Sequence, residues 1–366
     1  MSVENYLEIR DLSIGYNGKA VVEHISLNVR KGEIVALIGP NGAGKSTFLK
    51  TLVRDLPPVS GQVLLEEKPL ENYSYRALSK KMAVILTDRI KVDLTTCRDI
   101  VATGRYPYTG RLGILTPEDE RAVDEAMEAV HALDLGERDF GAVSDGQRQR
   151  ILLARAICQE PELILLDEPT SFLDVRHKLD LLSLLTEMAR KKNITVILSL
   201  HEIDLAEKVA DRILTVQGDN GVHFGTPEEI FEEGKIRRLY QIENGFFDPL
   251  FGSIELKKPD GEKPRVFVLA GAGTGIPVYR KLQREKIPFA TGILFENDVD
   301  YRLARLLATE VISAPPFAAI PEGIQAHALE VMAGCDRVIL AGEGAKRPNA
   351  WLLEEARTRG ITITEG

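Results

Sequence analysis

The 366-residue chain has no run of 18 consecutive apolar residues, so no helix spanning a bilayer is expected. Its opening stretch, MSVENYLEIRDL, carries acids and no long apolar core, so a secretory leader is not expected either. Only three cysteines occur, Cys97, Cys158 and Cys335, far apart in the chain. They offer neither a metal-ligand spacing nor an even disulfide set, which makes a reducing cytoplasm the expected setting. Low-complexity tracts are absent, and so is a basic surplus: the net charge is −9. From Phe251 onward 15 Lys/Arg balance 15 Asp/Glu, so the whole excess of acid lies in the first 250 residues. An acidic domain without a basic stripe is a poor ligand for nucleic acid, because phosphate contacts dominate that affinity.

What is present suits two globular domains, with 44% hydrophobic and 28% charged residues. Over residues 1–250, strands and helices alternate. YLEIRDLSIGY and ISLNV alternate as half-buried strands do, whereas EIVALIG, MAVIL, ELILLDEP and TVILSLH are nearly continuous apolar runs. Such runs fit parallel strands covered on both faces. EDERAVDEAMEAVHALDL has helical spacing. Turn residues and lost periodicity in GFFDPLFGSIELKKPDGEKP place a linker at 251–263. Residues 264–366 repeat the rhythm: RVFVLAG, PFATGIL, EVISA, DRVILAG and GITIT read as strands, GIPVYRKLQREK as a helix. Both parts are α/β, the second a small Rossmann-like domain.

GPNGAGKST, Gly39 to Thr47, fits the phosphate-loop pattern G-x-x-x-x-G-K-[ST] at Gly39, Gly44, Lys45 and Ser46. It follows a predicted strand, Ile34 to Ile38, and opens a predicted helix, the context the pattern requires. Glycines 39, 42 and 44 let the backbone N–H groups of the loop, which also holds Pro40, Asn41 and Ala43, turn inward onto phosphate oxygens. The helix N-terminus at Ser46 and Thr47 adds partial positive charge. Lys45 is placed to reach the β and γ phosphates, and the Ser46 hydroxyl to ligate Mg²⁺. LILLDEP then sets Asp167 and Glu168 at the end of a buried strand, the first suited to holding Mg²⁺, the second to polarising an attacking water as general base.

With these motifs in this order, the chain resembles the ATP-binding subunit of an ABC transporter. The resemblance covers residues 1 to about 240 and implies an ABC-type ATPase fold with a helical subdomain. Tyr16, in SIGYNG, matches the aromatic residue that stacks on adenine. VSDGQRQR matches the signature sequence, implying that Ser144, Gly146 and Gln147 face the γ-phosphate of a nucleotide held by a second copy. SFLD ends in Asp174 and matches the loop that crosses between subunits. His201, in LSLHEID, matches the switch histidine near the γ-phosphate. TCRDIVATGRYPYTGRLGILTPEDERAVDEAM resembles the importers of iron–siderophore complexes, haem or cobalamin. The resemblance therefore implies ATP and Mg²⁺ as cofactors, a head-to-tail dimer, a membrane permease and a soluble substrate-binding protein as partners, and a place on the cytoplasmic face of the membrane.

Two positions depart from the family. Where a Gln usually contacts Mg²⁺ and water, this chain has Thr87 followed by Asp88, which become the candidate metal-side groups. Asp145 stands where the signature normally has Gly, and its side chain is expected to turn away from phosphate. The second glycine loop, Gly271 to Gly275, lacks the lysine and hydroxyl of a hydrolytic loop. Two readings of it stay open: plain strand-to-helix turns, or a small-ligand pocket built with Gly342–Gly344, in which Glu296 and Asp298 hold the position of a ribose-binding acid. Two rivals to the importer also stay open: a soluble ABC ATPase, and an enzyme whose activity resides in the C-terminal domain.

Overall fold

The apolar runs of the first part become the inner strands of a six-stranded sheet in the computed structural model, which describes residues 5–86, 94–110, 113–217, 221–232, 234–248, 252–343 and 346–366. The order across that sheet is Val222–Gly225, Arg212–Val216, Ile34–Ile38, Thr195–Ser199, Leu163–Leu166, Met82–Ile85. All neighbours are parallel except the Val222–Gly225 edge strand. Ile34–Ile38, Leu163–Leu166 and Thr195–Ser199 are buried along their whole length, which accounts for their unbroken apolar sequence. A second sheet, antiparallel, runs in the order Lys19–Arg30, Asn5–Tyr16, Ser60–Leu65, Lys68–Pro69. One core joins the two sheets through Leu7, Ile9, Leu12, Phe48 and Leu214.

Helices Cys97–Ala102, Pro117–Ala129 and Asp145–Cys158 form the helical subdomain. Thr96, Thr116 and Ser144 each open one of them with a capping box, the side chain three residues on bonding back to the cap.

The chain divides into two compact units, the first ending at Gln241 and the second beginning at Ile242. The predicted linker at 251–263 therefore lies inside the second unit, where Gly245–Asp248 and Ser253–Leu256 pair as an antiparallel hairpin. Four-residue strands are too short to show alternation in sequence, and the hairpin depends on distant partners: Glu255 pairs with Arg280, and Gln283 Nε2 donates to the Leu256 carbonyl at 2.7 Å. The rest of the unit is a five-stranded parallel sheet in the order Glu310–Ala314, Phe289–Phe295, Val266–Leu269, Arg337–Leu340, Ile363–Glu365. Its chain reverses direction across the sheet at Val266–Leu269, as in Rossmann-like folds. No helix among the described residues is long and apolar enough to cross a membrane.

Candidate active site

Three adjacent strands of the six-stranded sheet end at the same edge. Ile34–Ile38 leads into the phosphate loop, Thr195–Ser199 into His201, and Leu163–Leu166 into Asp167 and Glu168. Parallel pairing is what gathers these segments, which lie far apart in sequence, into one place.

The loop itself is held by close backbone approach. Gly39 has φ 151° and a Cβ there would sit 2.0 Å from the Val216 carbonyl oxygen, so only glycine fits. Its N–H donates to Tyr240 Oη at 3.1 Å. Lys45 is buried and its ammonium donates to the carbonyls of Gly39 (2.7 Å) and Pro40 (3.0 Å), spanning the mouth of the loop. Burial pulls the Lys45 ammonium below the usual lysine range, against the opposing pull of the Glu168 and Asp167 carboxylates. Asn41 and Gly42 are exposed, Ala43, Gly44 and Thr47 buried, Ser46 half-buried. Tyr16 is half exposed, and its hydroxyl shares a hydrogen bond with Thr47 Oγ1 at 3.1 Å, which brings the predicted aromatic to the first turn of the loop helix Lys45–Leu52.

Asp167 is almost fully buried, and Ser199 Oγ donates to its Oδ1 at 2.8 Å. Glu168 adopts φ 49°, and its Oε1 lies 2.6 Å from His201 Nε2. Neighbouring Thr170 donates to Glu202 Oε2 at 2.8 Å, and Lys178 pairs with the same carboxylate. The hydroxyl of Ser46 and the carboxylate of Asp167 are hard oxygen donors, the kind Mg²⁺ prefers. Thr87 and Asp88 lie outside the described residues.

Ser144, Gly146 and Gln147 sit at the start of helix Asp145–Cys158, where Gln147 N–H donates to Ser144 Oγ at 3.3 Å. Asp145 turns along its own helix towards Arg148, at 3.7 Å. Gly146 faces Leu173, the residue before Asp174, so the signature and the crossing loop are neighbours. Asp174 caps helix Val175–Lys192 by accepting the His177 N–H at 2.9 Å. Phe172 and Val175, on either side, are exposed.

The ABC transporter family model matches residues 22–171. The uncharacterized ABC transporter ATP-binding protein MJ0873 of Methanocaldococcus jannaschii is 41% identical over 288 residues, 79% of this chain and 99% of that protein. The chain belongs to the family of ABC transporter ATP-binding proteins. As a member it binds and hydrolyses ATP. The petrobactin import ATP-binding protein FpuD of Bacillus anthracis is 35% identical over 265 residues, 72% of this chain and 97% of that protein. The cobalamin import ATP-binding protein BtuD of Halobacterium salinarum is 31% identical over 350 residues, 93% of this chain and 87% of that protein. A match of that span reaches deep into the second unit, where the MJ0874 family model also matches, over residues 289–364.

Sequence reasoning missed what ties the helical subdomain together. Arg105, from the GRYP stretch, is buried: it donates to Asp119 Oδ1 (2.8 Å), the Cys158 carbonyl (2.9 Å) and Glu160 Oε2 (2.7 Å), and lies over the Tyr108 ring. Backbone bonding at Thr116 and the Arg105 guanidinium hold the Asp119 carboxyl below the usual range.

The second glycine loop has its donors already occupied. Ala272 N–H bonds to Asp298 Oδ2 at 2.9 Å, and the N–H groups of Gly273 and Gly275 bond to Asp300 at 3.0–3.1 Å. Carboxylates of the same unit thus take the place a ligand phosphate would occupy in such a nest. Asp298 also caps helix Val299–Leu307, so it serves the loop and the helix where the sequence put a ribose-binding acid. Gly342 closes on Thr274, and Gly344 lies outside the described residues.

Proposed function

We propose that this ATPase drives import of a metal chelate through a membrane permease, with a cobalamin-type corrinoid as its cargo. The observation that carries the ATPase chemistry is the convergence of Lys45, Asp167, Glu168 and His201 at one edge of the sheet. Lys45 and the loop N–H groups of Gly39–Thr47 bind the phosphates, and Tyr16 stacks on adenine. Ser46 and Asp167 hold Mg²⁺, which supplies charge neutralisation on the phosphate oxygens. Glu168 takes the proton of the attacking water, and His201 orients that acid and meets the γ-phosphate. Ser144, Gly146, Gln147 and Asp174 act on the nucleotide of a second copy in a head-to-tail dimer. Closure of that dimer moves the permease, and hydrolysis reopens it.

The subunit works at the cytoplasmic face of the membrane and meets the permease in the groove of about 780 Å³ lined by Tyr75, Arg76, Tyr106, Pro107 and Arg155. Tyr75 and Tyr106 are 69% and 63% exposed there, the amphipathic anchors that interfaces favour. The cobalamin cargo is supported by the Halobacterium relative, whose likeness runs through both units. The petrobactin relative favours a second reading, an iron–siderophore cargo.

The test is uptake in cells deleted for this chain. Loss of corrinoid uptake, restored by the wild-type chain and not by Glu168→Gln, is expected. Loss of ferric-siderophore uptake alone would favour the second reading. Intact uptake of both, with no polytopic membrane protein co-purifying in mild detergent, would sink the importer and return the soluble ATPase to first place.

A further inference from the structure

We infer that Ser199 is a positioning residue for the Asp167–Glu168 pair, a role that rests on the active-site reading above. Ser199 ends the strand Thr195–Ser199, next to Leu163–Leu166, and is fully buried. A polar side chain at a buried strand position is costly unless its hydrogen bonds are made. Here both are made, and both go to the acid pair. Ser199 Oγ donates its one proton to Asp167 Oδ1 at 2.8 Å and accepts the Glu168 N–H at 2.8 Å.

The two bonds do different things. The first fixes the rotation of the Asp167 carboxylate, the group facing the metal position. The second fixes the main chain at Glu168, whose φ of 49° is uncommon for a residue with a side chain and persists only where the surroundings hold it. Two residues further on, His201 holds the Glu168 side chain from the same strand exit, at 2.6 Å. Segment 199–201 therefore braces the acid pair at its backbone and at both carboxylates. An alanine at 199 keeps the apolar packing and removes both bonds. Partners that orient a metal-facing carboxylate commonly change metal affinity by about 10–100-fold when removed.

The test uses the full chain with a non-hydrolysable ATP analogue. The Mn²⁺ concentration giving half of the nucleotide-dependent rise in melting temperature is measured for wild type, Ser199→Ala, Ser199→Thr and Ser199→Cys, alongside ATPase kcat and KM. Ser199→Ala is expected to raise that concentration about 10-fold or more and to lower kcat more than KM. Ser199→Thr, which keeps the hydroxyl, is expected to restore both. Ser199→Cys, a weak donor of similar size, is expected to fall between, and it carries the test should the alanine variant not fold. A Ser199→Ala protein that melts lower without nucleotide yet keeps the wild-type Mn²⁺ dependence and kcat would reduce Ser199 to a packing residue. No metal-dependent rise in the wild type itself would overturn the active-site reading and this inference with it.

Discussion

His201 Nε2 stands 2.6 Å from Glu168 Oε1, joining the residues that follow two neighbouring strands of the central sheet. The contact places an acid and its orienting base where the strand ends meet the phosphate loop. Glu168→Gln keeps the shape and removes the proton acceptor, so kcat should fall by about 100-fold or more while ATP binding persists. His201→Ala should lower kcat with a smaller change in KM. Steady-state ATPase assays and equilibrium nucleotide binding check both; a Glu168→Gln enzyme that turns over at the wild-type rate would remove Glu168 from the mechanism.

Lys45 is a buried cation whose nearest oxygens are carbonyls. Without nucleotide its charge is disfavoured by burial, and its folded-state pKa is lowered from 10.5. The unfolded chain then binds more protons than the folded one as pH approaches 10.5 from below, so this residue's contribution to stability improves as pH rises through that window. Lys45→Met should abolish ATPase activity, leave the nucleotide-free melting temperature undiminished, and flatten that part of the pH profile. Calorimetric scans of the two proteins between about pH 8 and the lysine range, at roughly half-unit steps, make the comparison.

Tyr240 tests the brace on the loop from the other side. Its hydroxyl accepts the Gly39 N–H, and burial pushes it up to about 12. The neutral phenol is the form that is folded in, so its contribution is intact below pH 10.0 and is lost as pH rises towards about 12. Tyr240→Phe leaves the Gly39 N–H without its acceptor and should cost about 1–2 kcal/mol of stability. It should also weaken ATP binding and remove part of the alkaline loss of stability. Urea unfolding at neutral and alkaline pH reads the first and last effects.

Asp300 is the corresponding brace in the second unit. It is fully buried, its carboxyl raised by that burial, and it accepts N–H groups from Gly273 and Gly275. Asp300→Ala should destabilise the second unit by about 2–4 kcal/mol, because two loop donors lose their partner. The single tryptophan, Trp351, lies on helix Lys346–Thr358 against that unit's core, so its fluorescence follows this unit's unfolding. An unchanged denaturation midpoint would show that the loop's donors are met some other way.

Much of the ATPase site was legible because its chemistry is written in contiguous stretches. GPNGAGKST and LILLDEP each place donors and acids at the end of an apolar run, and the order of motifs along the chain matched the order a family requires. The apolar runs also announced parallel strands buried on both faces. The second unit was legible as βα rhythm, yet its glycine loop left two readings open, a plain turn or a ligand pocket: sequence shows which backbone can turn inward and is silent on what fills the turn.

The sequence by itself determined the residue types that handle phosphate and water, since these depend on local spacing and on the conformations glycine allows. Tertiary structure alone decided which groups hold them in place. Gly39 and Tyr240 are 201 residues apart, Asp167 and Ser199 32, Gly275 and Asp300 25. Parallel strands bring the last two pairs together at strand exits, whereas Tyr240 reaches the loop from the end of helix Lys235–Leu239; a polar residue at a buried position shows no partner until its neighbours in the fold are known.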